Sequence, residues 1–295
     1  MRAVRLFPVI LLLATVSAMA QVDIDGADRM FFSGADPLKC RDRLEDMLPQ
    51  AADSHERSEI LWRMAKISVY AGEAETDRER KREIFAEGVA FADRAIRENP
   101  KSPDSYMWHA GNIGREGQMH SIMEQVRSLP VIMKDVTTIL DDLHRTDFLE
   151  AWQTMAEIYS NHPFKSNDGA ICFERKAVLC ISDGRLHIST YTLLARLLYE
   201  RGWDSARRSS AIEKNRQKFA ESYSSVTDRY AYFDGSLGTD FRHAWSSKPI
   251  GAMSDREEAL AIVAYVRKIY DAAASRTHYD DVEYKELLAL SRNWK

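Results

Sequence analysis

The stretch Trp152-Gln-Thr-Met155-Ala156-Glu-Ile-Tyr159 decides the fold class, because its aromatic, apolar and small residues fall three or four positions apart. That interval stacks side chains on one face of an α-helix, setting an aromatic knob beside a small notch. The same arrangement opens three other segments, Trp62-Arg-Met-Ala65, Tyr106-Met-Trp-His-Ala110 and Tyr191-Thr-Leu-Leu-Ala195. A returning face of this kind suits stacked helix pairs, since one pair alone cannot bury its apolar stripe. The expectation is an all-α chain, an α-solenoid of tetratricopeptide-like helix pairs. Successive opening aromatics are 44, 46 and 39 residues apart, longer than the usual repeat of about 34, so insertions or extended helices are predicted.

Working outward, the first pair is expected over about 54–70 and 79–97, joined by the charged segment 72–78. Gly88, Ala92 and Ala95 share one face of its second helix, where small residues admit a partner before Asn99-Pro100 ends the turn. Ser102-Pro103-Asp104 then restarts a helix, with Ser102 as N-cap and proline at the first position. The second pair carries 106–113, a glycine-marked turn Gly114-Arg-Glu-Gly117, and a long helix over 120–143 bent or interrupted at Pro130. The third opens at Trp152 and returns over 170–181. The fourth opens at Tyr191, turns at Gly202-Trp203 and returns over 204–224.

The flanks differ in character. Residues 21–37 read as an exposed leader before a first helix over 38–48. Tyr230, Tyr232, Phe233, Phe241 and Trp245 mark 230–251 as an ordered loop folded back on the array, since free linkers rarely carry such residues. Ser254-Asp-Arg-Glu257 is a capping box that starts a helix to about residue 274. A last helix over 280–291 is expected to cover the end of the stack. The organisation is therefore 1–20 a signal peptide, 21–53 the leader and first helix, 54–225 the repeat array, and 226–295 the aromatic loop with a non-repeat helical C-terminal cap.

Arg2 and Arg5 precede an apolar run, Leu6 to Val16, that ends in Ala18-Met19-Ala20. This is the pattern of a secretory signal cleaved after Ala20, which predicts an exported chain, periplasmic or extracellular, beginning at Gln21. The run is short for a span, which takes about 20 residues, and no transmembrane segment is expected in the mature chain. Losing Arg2 and Arg5 carries the formal charge of −4 two units further negative, which argues against nucleic acid as a partner. Cys172 and Cys180 are eight apart on one expected helix, about 12 Å at 1.5 Å per residue, too far for a disulfide. Any bridge must then join Cys40 to one of them, or none forms.

No standard catalytic signature is present: neither His-Glu-x-x-His, nor Gly-x-Ser-x-Gly, nor a phosphate loop. Gly111, Gly114 and Gly117, spaced by three, fail the dinucleotide fingerprint and are read as helix breakers. Asp23, Asp25 and Asp28 lack the remaining ligands of a calcium loop. His109, His120, Asp141, Asp142 and His144 match no standard metal set, and the acids, with Glu150, read as surface charge. The expectation is no enzyme, no metal and no cofactor. The concave face offers more. Counting from each opening aromatic selects Arg63, Ile67 and Tyr70, then Met107, then Gln153 and Glu157, then Arg196 and Tyr199 as binding residues. Arg and Tyr anchor peptides through charge-assisted bonds and rigid area. Trp108 is expected in the core, and His109 as a packed histidine.

The stretch from Asn99-Pro100 through Tyr106, Gly114-Arg115-Glu116-Gly117, the proline-bent helix and Trp152 resembles bacterial relatives of the regulator of microtubule dynamics family. It is similar, less closely, to the periplasmic T-component of tripartite transporters. The resemblance covers about 60–206. It implies an all-helical repeat scaffold that binds proteins or small apolar ligands and has no established catalytic residues. His109 departs from it, standing where the repeat usually has an apolar residue. The expected partner is a protein or peptide in the concave groove, and the alternative is a small apolar molecule held between helices.

Overall fold

The computed structural model describes residues 22–120, 122–161, 167–236 and 242–294, and every regular element among them is helical. The expected signal segment and Phe241 lie outside the described residues. The helices are α1 (Ile24–Phe32), α2 (Pro37–Met47), α3 (Ser54–Ala74), α4 (Arg78–Glu98), α5 (Pro103–Gln118), α6 (Ile122–Thr137), α7 (Leu149–Asn161), α8 (Asn167–Leu179), α9 (Ile188–Arg201), α10 (Ser205–Phe219), α11 (Val226–Tyr230), α12 (Asp255–Ala272) and α13 (His278–Ser291). Neighbours in sequence pack as neighbours in space: α3 on α4, α4 on α5, α5 on α6, α7 on α8, α8 on α9. The architecture is an α-solenoid. None of the helices described is long and apolar enough to cross a membrane.

Helix starts are fixed by local chemistry. Asp53, Asp77, Ser102 and Asp204 each accept a bond from a first-turn amide, and Ser254 with Glu257 forms the reciprocal box, each cap contributing about 1 kcal/mol. Trp62, Trp152 and Tyr191 are buried, as are Ala65, Ala156 and Ala195. Trp152 stacks on Phe173 and donates its indole N–H to the Thr146 carbonyl at 3.0 Å. Gly88 serves a close approach between helices. Asn112 of α5 donates to the carbonyls of Ala65 and Trp108, and a Cβ at position 88 would meet its amide oxygen at 2.0 Å.

Four sequence expectations are corrected. The expected turn at Gly114-Arg-Glu-Gly117 is helical and lies inside α5. Its glycines face α6, where a Cβ at position 117 would sit 3.0 Å from Ser128 Oγ, so they permit packing rather than break the helix. Pro130 does not interrupt α6, which runs on through it, and a π-helical stretch, Thr138–Asp142, follows. The expected exposed leader contains α1, whose Ala27 and Phe31 are buried. The fourth pair is not α9 with α10 but α9 with α12. In α10 only Arg208 is buried, whereas α12 buries Ala259, Ile262, Val263 and Val266. An apolar stripe, not chain proximity, selects the partner, so 202–254 is an insertion inside the last pair.

A buried ionic lock fastens that insertion. Glu258 of α12 accepts from Arg175 at 2.6 and 3.0 Å, from Arg208, and from the Trp245 indole at 3.1 Å. Asp255 binds Arg201 and the Trp203 amide, and Arg216 pairs with Asp234. His243 stacks flat on Trp245 at 4.2 Å, and burial, then the adjacent Arg175, pushes its imidazole down to about 3. The described parts of the aromatic loop thus fold onto the array, with Tyr230 on Trp152 at 4.8 Å. Cys40, Cys172 and Cys180 are all free thiols.

The last helix does more than cover an end. Packed on α9, α13 carries Tyr279, which stacks on Phe31 of α1 at 4.9 Å and meets Tyr70 of α3 edge-on at 4.8 Å. The final helix therefore reaches from the last pair back to the first.

Candidate functional site on the inner helix face

The leading helices of the pairs, α3, α5, α7 and α9, each send a charged side chain toward the next. Glu73 of α3 pairs with Arg115 of α5 at 2.7 Å. Arg115 and Arg196 of α9 both act on Glu157 of α7. The series Glu73, Arg115, Glu157, Arg196 alternates in sign along the stack. Two turns nearer the helix starts lie Lys66, Trp108 and Glu150, each seven residues before a member of that series.

These groups combine access to solvent with the electrostatics of an interior. Lys66 is half-buried, with its ammonium 4.8 Å from the Phe32 ring and 5.6 Å from Phe31 and Trp108. Desolvation, then the nearby Arg185, lowers it to about 8. Asp104 at the start of α5, also half-buried, is raised to about 6 by desolvation and by Glu150 and Glu59. Glu157 is exposed and still raised, again chiefly by desolvation. Charges packed against protein in this way keep less of their hydration than charges on an open surface.

One end of this face is covered by the first and last described helices, α1 and α13. Arg63 holds α1 through Asp28 at 2.9 Å, bonds Glu59 at 2.8 Å and lies over the Trp62 ring at 4.1 Å. Arg185 stacks over Phe32 at 5.1 Å. On α13, Glu283 accepts from the Ser189 amide at 2.9 Å, and desolvation raises its carboxyl.

The sequence-selected residues divide. Arg196 acts electrostatically on Glu157, and Tyr70 stands in an aromatic group with Phe31 and Trp108. Arg63 is committed to the α1 ion pairs. Gln153 accepts from Thr190 at 3.2 Å, and Tyr199 stacks on Trp294 at 4.4 Å. Ile67 and Met107 are corrected: both are core residues, 2% and 6% exposed, since their positions point between helices. Trp108, expected in the core, is half-buried beside Lys66. Lys66, Asp104, Glu73, Arg115 and Glu174 were not selected. The signal for them was present, because 66, 108 and 150, like 73, 115 and 157, recur every 42 residues. Counting from the aromatic knobs, whose steps are uneven, hid that register.

Two of the remaining candidates have structural partners. His109 bonds Asp135 at 2.7 Å and lies 3.5 Å from Asp93. Asp141 accepts from the Val226 and Thr227 amides and the Thr227 hydroxyl, anchoring α11. Among the described residues no three His, Cys, Asp or Glu side chains are grouped to hold a metal ion.

Fold and site together define a helical-repeat protein with a charged, aromatic inner face. A family model described as regulator of microtubule dynamics protein 1-3 matches residues 25–138, from α1 into the π-helical stretch. Regulator of microtubule dynamics protein 1 of Bos taurus is 28% identical over 110 residues, 37% of this chain and 33% of the bovine protein. The chain thus spans about a third of the length of that relative. Both matches support the resemblance, but the family model matches 25–138 rather than the expected 60–206, taking in α1 and stopping before α7.

Proposed function

We propose that this chain is a non-catalytic helical-repeat protein that acts after export, its signal segment removed, and binds a protein or peptide segment along the inner face. The observation that carries the reading is the set Lys66 and Asp104, half-buried, and exposed Glu157, all with shifts caused chiefly by desolvation. Charges held in that state gain more from an incoming polar partner than fully hydrated ones, because part of their desolvation cost is already met by the fold. The matched relatives carry names of regulators, which supports a regulatory or binding role over a catalytic one. Microtubule association is not carried to an exported chain. A small apolar molecule, the alternative, fits a lining of alternating charge poorly.

The test selects peptides from a random dodecapeptide library on the chain lacking residues 1–20, then compares it with the double variant Lys66→Ala/Arg196→Ala. Peptides that bind the parent and weaken about tenfold or more on the variant are expected, tenfold corresponding to one charge-assisted hydrogen bond of about 1.4 kcal/mol. Equal binding to both chains, or a co-purified apolar molecule as sole ligand in native mass spectrometry, would overturn the reading.

A further inference from the structure

The last helix is laid on the array rather than built into it. Of the 14 residues of α13 only Leu287 and Ser291 are buried, whereas α12 buries Asp255, Glu258, Ala259, Ile262, Val263 and Val266. Tyr279, Glu283, Leu287 and Ser291 are spaced by four and form one stripe along α13. Val282 and Leu290, off that stripe, stay exposed. The stripe makes the contacts: Tyr279 meets the rings of Phe31 and Tyr70, Glu283 accepts from the Ser189 amide at the start of α9, and Leu287 enters the core. Just beyond the helix, Trp294 stacks on Tyr199 of α9 at 4.4 Å. Tyr70 and Tyr199 are two of the side chains that the sequence assigns to the binding face, and the chain's own C-terminal segment covers both.

Building on the groove reading above, we propose that α13 is an internal occupant of the partner's docking surface, and that the partner is a helix with the same stripe: an aromatic residue, an acid four positions on and a leucine four further. Helices that lie in grooves are recognised through anchors at such spacing. The surface supplies one complement to each anchor: Phe31 and Tyr70 for the ring, the Ser189 amide for the acid, and the core that receives Leu287 for the leucine. The joints of α13 suit exchange. Ala274, Ser275 and Arg276 form an exposed, non-helical link after α12, and Thr277 with Asp280 gives α13 a capping box of its own that moves with it. Its ties to α12 are Tyr284 stacked on Tyr270 at 3.7 Å and the Tyr270 hydroxyl donating to Asp281 at 2.7 Å, all three residues being half-buried. An internal occupant lowers a partner's apparent affinity by the fraction of chains whose surface is open. The last helix therefore sets the affinity a partner must exceed.

The experiment uses the chain lacking residues 1–20 and a fluorescein-labelled synthetic peptide of residues 275–294, followed by fluorescence anisotropy. Tyr279→Ala/Leu287→Ala takes the ring and the leucine from the internal stripe, and the peptide should bind this variant about tenfold or more tightly than the parent. Hydrogen exchange should show the amides of 278–291 losing protection in the variant while α9 and α12 keep theirs, which separates release of α13 from loss of the fold. Tyr279→Ala/Glu283→Ala, which keeps Leu287 in the core, is the second variant and should behave in the same direction. Peptides recovered by the selection above should carry the stripe and also bind both variants more tightly than the parent. Equal binding of the 275–294 peptide to parent and variants, or unchanged protection of 278–291 in both variants, overturns the internal occupancy. A parent dimer that exchanges 275–294 between copies makes a second copy the occupant and overturns the partner assignment. Selected peptides that bind parent and variants alike overturn the displacement and leave the groove reading standing. Failure to recover any peptide sensitive to Lys66→Ala/Arg196→Ala overturns both.

Discussion

Glu174 and Glu258 are both fully buried glutamates on helices that pack against α9, yet their surroundings are opposite. Two guanidinium groups and an indole N–H surround Glu258, and despite burial the adjacent Arg175 and Arg208 hold its carboxyl far below the usual range. Glu174 has no hydrogen-bond donor among the described residues, and burial drives it the other way. Burial alone does not set the charge state of an acid; the number of donors around it does. Glu258 is saturated and its cluster acts as a fastener, although Arg208 Nε there lacks a partner among the described residues, whereas Glu174 keeps unused acceptor capacity.

The largest test removes the fastener. Glu258→Ala leaves Arg175 and Arg208 buried without their shared partner, and unfolding in urea should show a loss of about 3–5 kcal/mol. A loss below 1 kcal/mol would mean the lock is no tighter than a surface pair.

The second test has the opposite sign. Above pH 4.5 the Glu174 carboxyl ionises in the unfolded chain while the folded one keeps its proton, so stability falls as pH rises from 4.5 toward the raised folded value. The slope is about 1.4 kcal/mol per pH unit. Glu174→Gln cannot ionise and should be the more stable protein above pH 4.5, by a margin that grows as pH rises toward the raised folded value. An unchanged pH profile would place a proton donor beside Glu174 and end the contrast.

Trp245→Phe probes the lock more gently, taking one donor from Glu258 while both arginines stay. Thermal unfolding should report about 1–2 kcal/mol.

His109 stands between the two extremes, half-buried and bonded to Asp135 on one side. Burial opposes its charged form, but the bond to Asp135 and the charges of Asp135 and Asp93 outweigh it, and the imidazole is raised. Its contribution is complete below pH 6.5 and disappears as pH climbs through the folded value. Replacing it with glutamine should flatten that part of the stability curve by less than about 1 kcal/mol, the size of a partly screened pair.

By itself the sequence determined most of the helices and their starts, α1 and α11 excepted, because caps such as Ser102 and the Ser254–Glu257 box, and the knob-and-notch spacing, act within one or two turns. It also marked Glu157 and Arg196. It misread Gly114 and Gly117, whose role depends on what lies across from them: a glycine that ends a helix and one that admits a neighbouring helix look alike in one dimension. Only the tertiary structure decided that α12 rather than α10 completes the last pair, that α13 returns to α1, and that Glu174 is orphaned while Glu258 is saturated. These outcomes depend on which surfaces meet after distant segments have packed, and hydrogen-bond satisfaction is a property of that meeting rather than of any residue in the chain.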